Sequence, residues 1–154
     1  MNFRISGISP EPFRPLFALD DAALAALGAK RCIAEDATGY PCRVSLAHAA
    51  PGEELILLSY VHQDTGSPYR AAGPIFVRKS ADKAFNRLNV VPEPVRTRLL
   101  SVRAYDSQDL IVDAEVVDGG ELETPIARFF GNQAAYLHIH YARRGCFACR
   151  VDRA

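Results

Sequence analysis

Residues Ala135–Val151 read AYLHIHYARRGCFACRV and gather His138, His140, Cys146 and Cys149 into what the pattern predicts is one β-hairpin. Leu137, Ile139 and Tyr141 alternate with Tyr136, His138 and His140, so both imidazoles share one face of a strand. Arg143, Arg144 and Gly145 interrupt the alternation, which resumes from Cys146 to Val151; the turn therefore lies at Arg143–Gly145, with Gly145 supplying the positive φ. Loop length decides which side chain meets the histidines. A two-residue loop puts Cys149 opposite His140, whereas a three-residue loop ending in a Gly145 bulge turns Cys146 onto the histidine face, and the second form is preferred.

Outward from the hairpin, Phe3–Ile8 alternates as a first strand and is ended by SPEPFRP, whose prolines predict an extended path. Asp20 is the expected N-cap of a short helix, with Leu24 and Leu27 a turn apart and Gly28 just past its end. Tyr40–Leu46 is expected to be a strand, with Cys42 and Val44 on one side and Arg43 and Ser45 on the other. Glu54–His62 is apolar on both faces, as in a strand that is central or covered on both sides. The polar loop after it, QDTGSPYRAAG, leads into a strand at Gly73–Lys79. Pro92-Glu93-Pro94 opens a helical turn. Leu99–Tyr105 and Leu110–Val117 flank the turn Asp106–Asp109 as a second hairpin. Leu122, Ile126, Phe129 and Phe130 form the buried stripe of a helix that begins at Gly119-Gly120 and closes at Gly131-Asn132, with Pro125 in its first turn.

The 154 residues suffice for one domain with a real core, and no repeat or linker divides them. The expected architecture is a single α+β domain, 1–154, mainly antiparallel sheet with two or three short helices. Hydrophobic residues at 49% and charged residues at 23% are ordinary globular values. The 18 basic residues balance 18 acidic ones, which argues against general binding to nucleic acid or to an anionic membrane. No signal peptide and no membrane span is evident, so the expected location is the cytoplasm, where the four cysteines stay reduced.

His138-x-His140 places two nitrogens on one side of a strand, but a metal needs a third ligand, with His62, Cys42, Cys146 or a carboxylate the choices. No metal site is assigned on two ligands, and the pattern specifies no cofactor. Cys146-x-x-Cys149 has redox or zinc spacing, yet in a strand its sulfurs point to opposite faces. A thiol at Cys146 beside His140 would make a nucleophile and its base, so these two are the catalytic candidates. Arg143, Arg144, Arg150 and Arg153 cluster near the hairpin, while Arg43 and Arg78 stand on other expected strands, and converging guanidinium groups bind anions.

The blocks FRISGISPEPFRPLFALDDAALAALGAKR, GYPCRVSLAHAAPGEELILLSYVH, SPYRAAGPIFVR, LLSVRAYD, IVDAEVVDG and HIHYARRGCFACRVDR together resemble the bacterial family catalogued as domain of unknown function 1203. That resemblance implies a small single-domain bacterial protein and transfers no activity. The family pattern is H-x-H, then Asn or a similar residue, then G-C; Tyr141 stands here in place of Asn. Cys149 falls where the family commonly carries Ala, which makes the C-x-x-C spacing incidental.

The functional expectation is a small-molecule binding domain whose polar pocket takes an anionic ligand. Arg43, His62, Arg78 and His138 are the expected binding residues, and His140 and Cys146 the expected catalytic ones. Two readings of other classes stand beside it: an interaction or structural module that pairs with a partner or its own copy, and a metal-binding protein built on the His-x-His strand.

Overall fold

The structure, a computed structural model, describes all of residues 1–154. It is an α+β fold of antiparallel sheets. Nine strands run β1 Phe3–Ser6, β2 Lys30–Ile33, β3 Glu54–Gln63, β4 Ala71–Arg78, β5 Asn86–Leu88, β6 Leu99–Tyr105, β7 Ile111–Asp118, β8 Tyr136–Tyr141 and β9 Phe147–Arg153. The helices are α1 Asp21–Ala26, α2 Glu93–Arg96 and α3 Glu123–Gly131. Six strands form one sheet in the order β5-β1-β9-β8-β6-β7, and three form a second in the order β2-β3-β4.

The larger sheet has two faces with different tasks, and strand alternation assigns them. Leu137 and Ile139 of β8, Leu100, Val102 and Ala104 of β6, and Val151 of β9 point one way, onto Leu122, Ile126, Phe129 and Phe130. These last four are the stripe read from the sequence, and each such side chain contributes about 1.5–3 kcal/mol when fully buried. Pro125 lies in the first turn of α3, where its missing N–H leaves no bond unmade. The opposite face of β8 carries Tyr136, His138 and His140. Over that face lies the smaller sheet, with His62 of β3 reaching the ring of Phe147 on β9.

β3 is the central strand of the smaller sheet and is covered on both sides. Ile56 packs with Leu24 of α1, and Leu55 with Ala34 and Ala49. Asp20 caps α1 by accepting from the Ala23 amide, and Gly28 takes φ +69 beyond its end.

Four local expectations are corrected. Tyr40–Leu46 is not a strand: Cys42 N–H donates to Ala47 O and Ala49 N–H to Tyr40 O, so the segment folds on itself, with only single bridges at Pro41↔His48 and Cys42↔Phe76. Leu46 sits there at φ +50, a conformation no strand tolerates. The proline-rich segment turns into a 3₁₀ helix over Arg14–Ala18, because Pro15 fits its first turn. β2 and β5 were not expected; KRCI and NRL lack an apolar alternation and are edge strands whose pairing is imposed by β3 and β1. The hairpin loop is neither the two- nor the three-residue form. Tyr141 N–H donates to Cys146 O and Gly145 N–H to Tyr141 O, so four residues, Ala142–Gly145, make the turn, with Gly145 at φ +78. No helix is long and apolar enough to cross a membrane.

Candidate functional site

Three β-bulges surround the histidine face, and each re-aims a side chain. In β8–β9, Ile139 pairs with Cys149 while His140 pairs with Phe147, so Ala148 is the extra residue. This places Phe147 opposite His140 and sends Cys149 to the core with Ile139, where burial pushes its thiol up to about 12. In β3–β4, Val61 pairs with Ala72 and Gln63 with Ala71, so His62 is the extra residue. Simple alternation would put His62 and Gln63 on opposite faces; the bulge turns both toward β8. In β6–β7 the shift falls between Ala104 and Tyr105.

His62, His138 and His140 gather as a result. The His62 ring stacks on Phe147 at 5.2 Å and meets His140 edge-on at 4.9 Å and His138 at 6.2 Å. His138 and His140 are 2% and 1% exposed. Burial, reinforced by Arg103, Arg150 and the neighbouring imidazoles, pushes His138 down to about 3. Burial likewise takes His140 down to about 4, opposed by its bond to Gly145 O and aided by Arg103, His62 and Arg43. His62 is lowered by burial and then by Arg103. All three are therefore neutral at pH 7.

Neutral imidazole has one donor and one acceptor, and a carbonyl only accepts. His140 Nδ1 lies 3.0 Å from Gly145 O, so Nδ1 carries the proton and Nε2 presents a lone pair. That Nε2, His138 Nδ1 and both nitrogens of His62 are buried with no hydrogen-bond partner in the chain. Leaving a buried polar group unpaired costs about 1–3 kcal/mol, so four such atoms in one place make this face the candidate site. No group of three His, Cys, Asp or Glu side chains is arranged to hold a metal ion, however.

Cavities open on either side of His62 and Phe147. One, about 250 Å³, runs beside His140 and is bordered by Arg103, Arg144, Cys146 and Gly73. It has no acidic residue in its walls. Arg103 reaches Ser101 Oγ at 3.5 Å and the Tyr105 hydroxyl, and neither it nor Arg144 takes part in any of the chain's ion pairs. The other cavity, about 320 Å³, runs beside His138 and is bordered by Tyr60, Asp109, Tyr136 and Arg150. Its polar groups are already engaged. Tyr136 accepts from Gln63 Nε2 at 2.8 Å and donates to Asp109 at 2.6 Å, and Thr65 donates to Asp109 at 2.7 Å. These bonds hold Asp109 well below the usual carboxylate range, while burial and Asp109 push Tyr136 up to about 12. Arg150 pairs with Asp152 and lies 4.0 Å over the Tyr136 ring.

Of the residues expected from sequence, His62, His138, His140 and Cys146 border these two cavities. The structure does not bring all the others to them. Arg78 sits at the far end of β4, bound to both carboxylate oxygens of Glu53 at 2.8 and 2.9 Å. Arg43 is buried behind Phe147, donating to Phe147 O at 2.6 Å and stacking 5.0 Å from the Tyr141 ring. It borders neither cavity, although its unpaired charge acts on His140 through the sheet. No hydrogen bond joins Cys146 to His140: the thiol's contact is Arg144 O at 3.9 Å, and the His140 Nδ1 proton goes to Gly145. Sequence reasoning did not single out Gln63, Arg103, Asp109 or Tyr136 as site residues. Tyr136 carried a signal, sharing a strand face with both histidines; Asp109 read only as a turn residue.

No curated protein and no solved structure matches the chain. A family model does, described as a protein of unknown function and spanning residues 39–153, which include both cavities' histidines, Arg103, Asp109 and Cys146. By that match the chain belongs to the DUF1203 family.

Proposed function

We propose that this protein binds a small anionic molecule in the cavity beside His140 and that His140 Nε2 exchanges a proton or hydrogen bond with it. One observation carries this reading: two arginines without carboxylate partners, Arg103 and Arg144, border an acid-free cavity together with two neutral imidazoles, His140, whose Nε2 lacks a partner, and His62, whose two nitrogens do. Guanidinium groups hold carboxylate or phosphate oxygens bidentately, and neutral imidazoles then serve the ligand's remaining polar atoms. Arg43, 3% exposed and without an acid, adds fixed positive charge behind Phe147. Cys146 borders the same cavity within reach of the bound molecule.

Titration with inorganic phosphate and with acetate, followed by ¹⁵N chemical shifts of the histidine rings and of the Gly73 and Gly145 amides, tests the proposal. Saturable shifts are expected for at least one anion. An R103Q/R144Q variant is expected to bind about 10- to 100-fold more weakly, since a hydrogen bond to a charged group contributes about 1.5–3 kcal/mol. Absence of saturable shifts with both anions, or equal affinity in the variant, refutes it.

A further inference from the structure

Cys146 is half-buried and borders the cavity beside His140, so its thiol meets whatever enters there. No base stands against that thiol. Its contact is Arg144 O at 3.9 Å, and the proton on His140 Nδ1 is turned to Gly145 O. Nor does the chain offer a second cysteine to pair with it: Cys149 packs in the core with Ile139, and Cys42 lies in a separate core with Val44 and Ile75. What the cavity does offer is positive charge. Arg103 and Arg144 border it, no acid does, and neither arginine is in an ion pair. Arg43, buried behind Phe147 without an acid, lies within Coulombic reach of a Cys146 thiolate. His140 lines the cavity too, 1% exposed and with Nε2 unpartnered, so the wall holds an unmet polar group as well as unmet charge.

Exchange with an external disulfide needs neither a base beside the thiol nor a second cysteine, because the fraction of thiol already ionised attacks. The charge of the cavity then selects the disulfide. We infer that Cys146 is a modification site that exchanges with small disulfides bearing carboxylates, and that the adduct, lying in the cavity, excludes the anion. The inference rests on the anion-binding reading above, since the carboxylate of the incoming half takes the anion's place at Arg103 and Arg144. In the step, the Cys146 thiolate bonds to one sulfur of the disulfide and the S–S bond breaks. The other half leaves as a thiolate and takes up the proton that Cys146 gave to solvent. The disulfide is itself the oxidant. At about 250 Å³ the cavity falls below the range of about 300–1,000 Å³ usual for small-molecule sites, so it admits one half while the leaving half stays in solvent. With Cys149 in the core, no cysteine of the chain displaces the adduct, and an external thiol must remove it.

The test uses three disulfides of matched size whose halves end in a carboxylate, a hydroxyl or an ammonium group: dithiodipropionate, hydroxyethyl disulfide and cystamine. The full chain is treated with each at pH 7.5 and low salt, and modification of each cysteine is followed by mass spectrometry of acid-quenched peptides. Cys32 is the reference, being half-buried like Cys146 and next to Arg31, which is already paired with Asp21 and Glu54. Divided by the same ratio at Cys32, the rate preference of Cys146 for dithiodipropionate over cystamine is expected to be about tenfold or more, the low end of what a charged cleft adds to encounter. Hydroxyethyl disulfide should fall between them. R103Q/R144Q is expected to bring the ratio close to one, with Cys42 and Cys149 still unmodified as the sign that the variant is folded. Whichever of phosphate and acetate binds is expected to slow Cys146 and leave Cys32 unchanged, at an ionic strength held constant with chloride. If anions bind but Cys146 shows no more preference than Cys32, or the variant keeps the preference, or the bound anion gives no protection, the modification site is refuted and the anion site stands. If in addition no anion binds, both readings fall.

Discussion

Acidification from pH 7 to pH 5 is expected to destabilise the fold through its buried imidazoles. An unfolded histidine titrates near 6.5, whereas His138 and His140 are held down to about 3 and about 4. With the folded values depressed, both states are neutral above about pH 7, and stability there is intact. As pH falls through about 6.5 the unfolded chain takes up protons that the folded chain refuses, and stability is lost progressively toward the folded values. At pH 5 the difference of about 1.5 pH units, at 1.36 kcal/mol each, gives about 2 kcal/mol per histidine and about 4 kcal/mol for the pair. The slope near pH 5 approaches about 2.7 kcal/mol per pH unit, as two protons are taken up on unfolding. This result requires only that both folded values lie below 5. Against a typical total of about 5–15 kcal/mol the loss is large.

The groups that act on the pair are His62, Arg43, Arg103 and Arg150, and among them only His62 can change charge in this interval. His62 and His48 are themselves lowered by burial, so they add to the effect. Carboxylates held low in the folded state, including Asp36, Asp109 and Glu123, lose their contribution only below about pH 4.5, outside the window. Urea unfolding followed by circular dichroism at pH 7, 6 and 5, at constant ionic strength, measures the loss. An H138L/H140L variant should lose about 4 kcal/mol less than the native chain over that range. A native stability that does not change between pH 7 and 5, or a variant with the same pH dependence, refutes the reasoning.

Three further outcomes are expected. G7A should destabilise by about 2–3 kcal/mol, because an added Cβ would lie 2.1 Å from the Val44 carbonyl oxygen, and backbone must move; an unchanged melting temperature contradicts this close approach. F129A should cost about 3–5 kcal/mol by opening a cavity between α3 and the sheet, measured by denaturant unfolding. A thiol reagent at neutral pH should modify Cys32 and Cys146, which are half-buried, and reach Cys42 and Cys149 only after unfolding; mass spectrometry of the modified peptides would show the order, and early labelling of Cys149 would contradict its place in the core.

The longest apolar patterns were legible in the sequence because each needs only local periodicity. The stripe Leu122, Ile126, Phe129 and Phe130 identified α3, alternation identified β6, β7 and β8, and Asp20 marked the start of α1. Alternation on β8 likewise put His138 and His140 on one face. Tyr40–Leu46 misled because a short alternating segment satisfies the strand pattern whether or not a neighbouring strand is free to pair with it. β2 and β5 were missed for the converse reason, since their pairing comes from β3 and β1 and not from their own residues.

What the sequence by itself determined, then, was the α+β class, the core stripe and the common face of two histidines, all of which follow from the fixed repeats of helix and strand. The tertiary structure decided the site. Bulges at His62 and Ala148 break the twofold repeat, so no alternation could show that His62 and Gln63 both face β8 or that Phe147, and not a cysteine, lies opposite His140. Arg103 comes beside the histidines through the β6–β8 register, which sets it opposite His138, and Asp109 comes near them through the bond that Tyr136 donates to it, pairings between distant segments that no local pattern specifies. Burial under the smaller sheet is also what holds the imidazoles neutral, a property of their surroundings and not of the H-x-H motif.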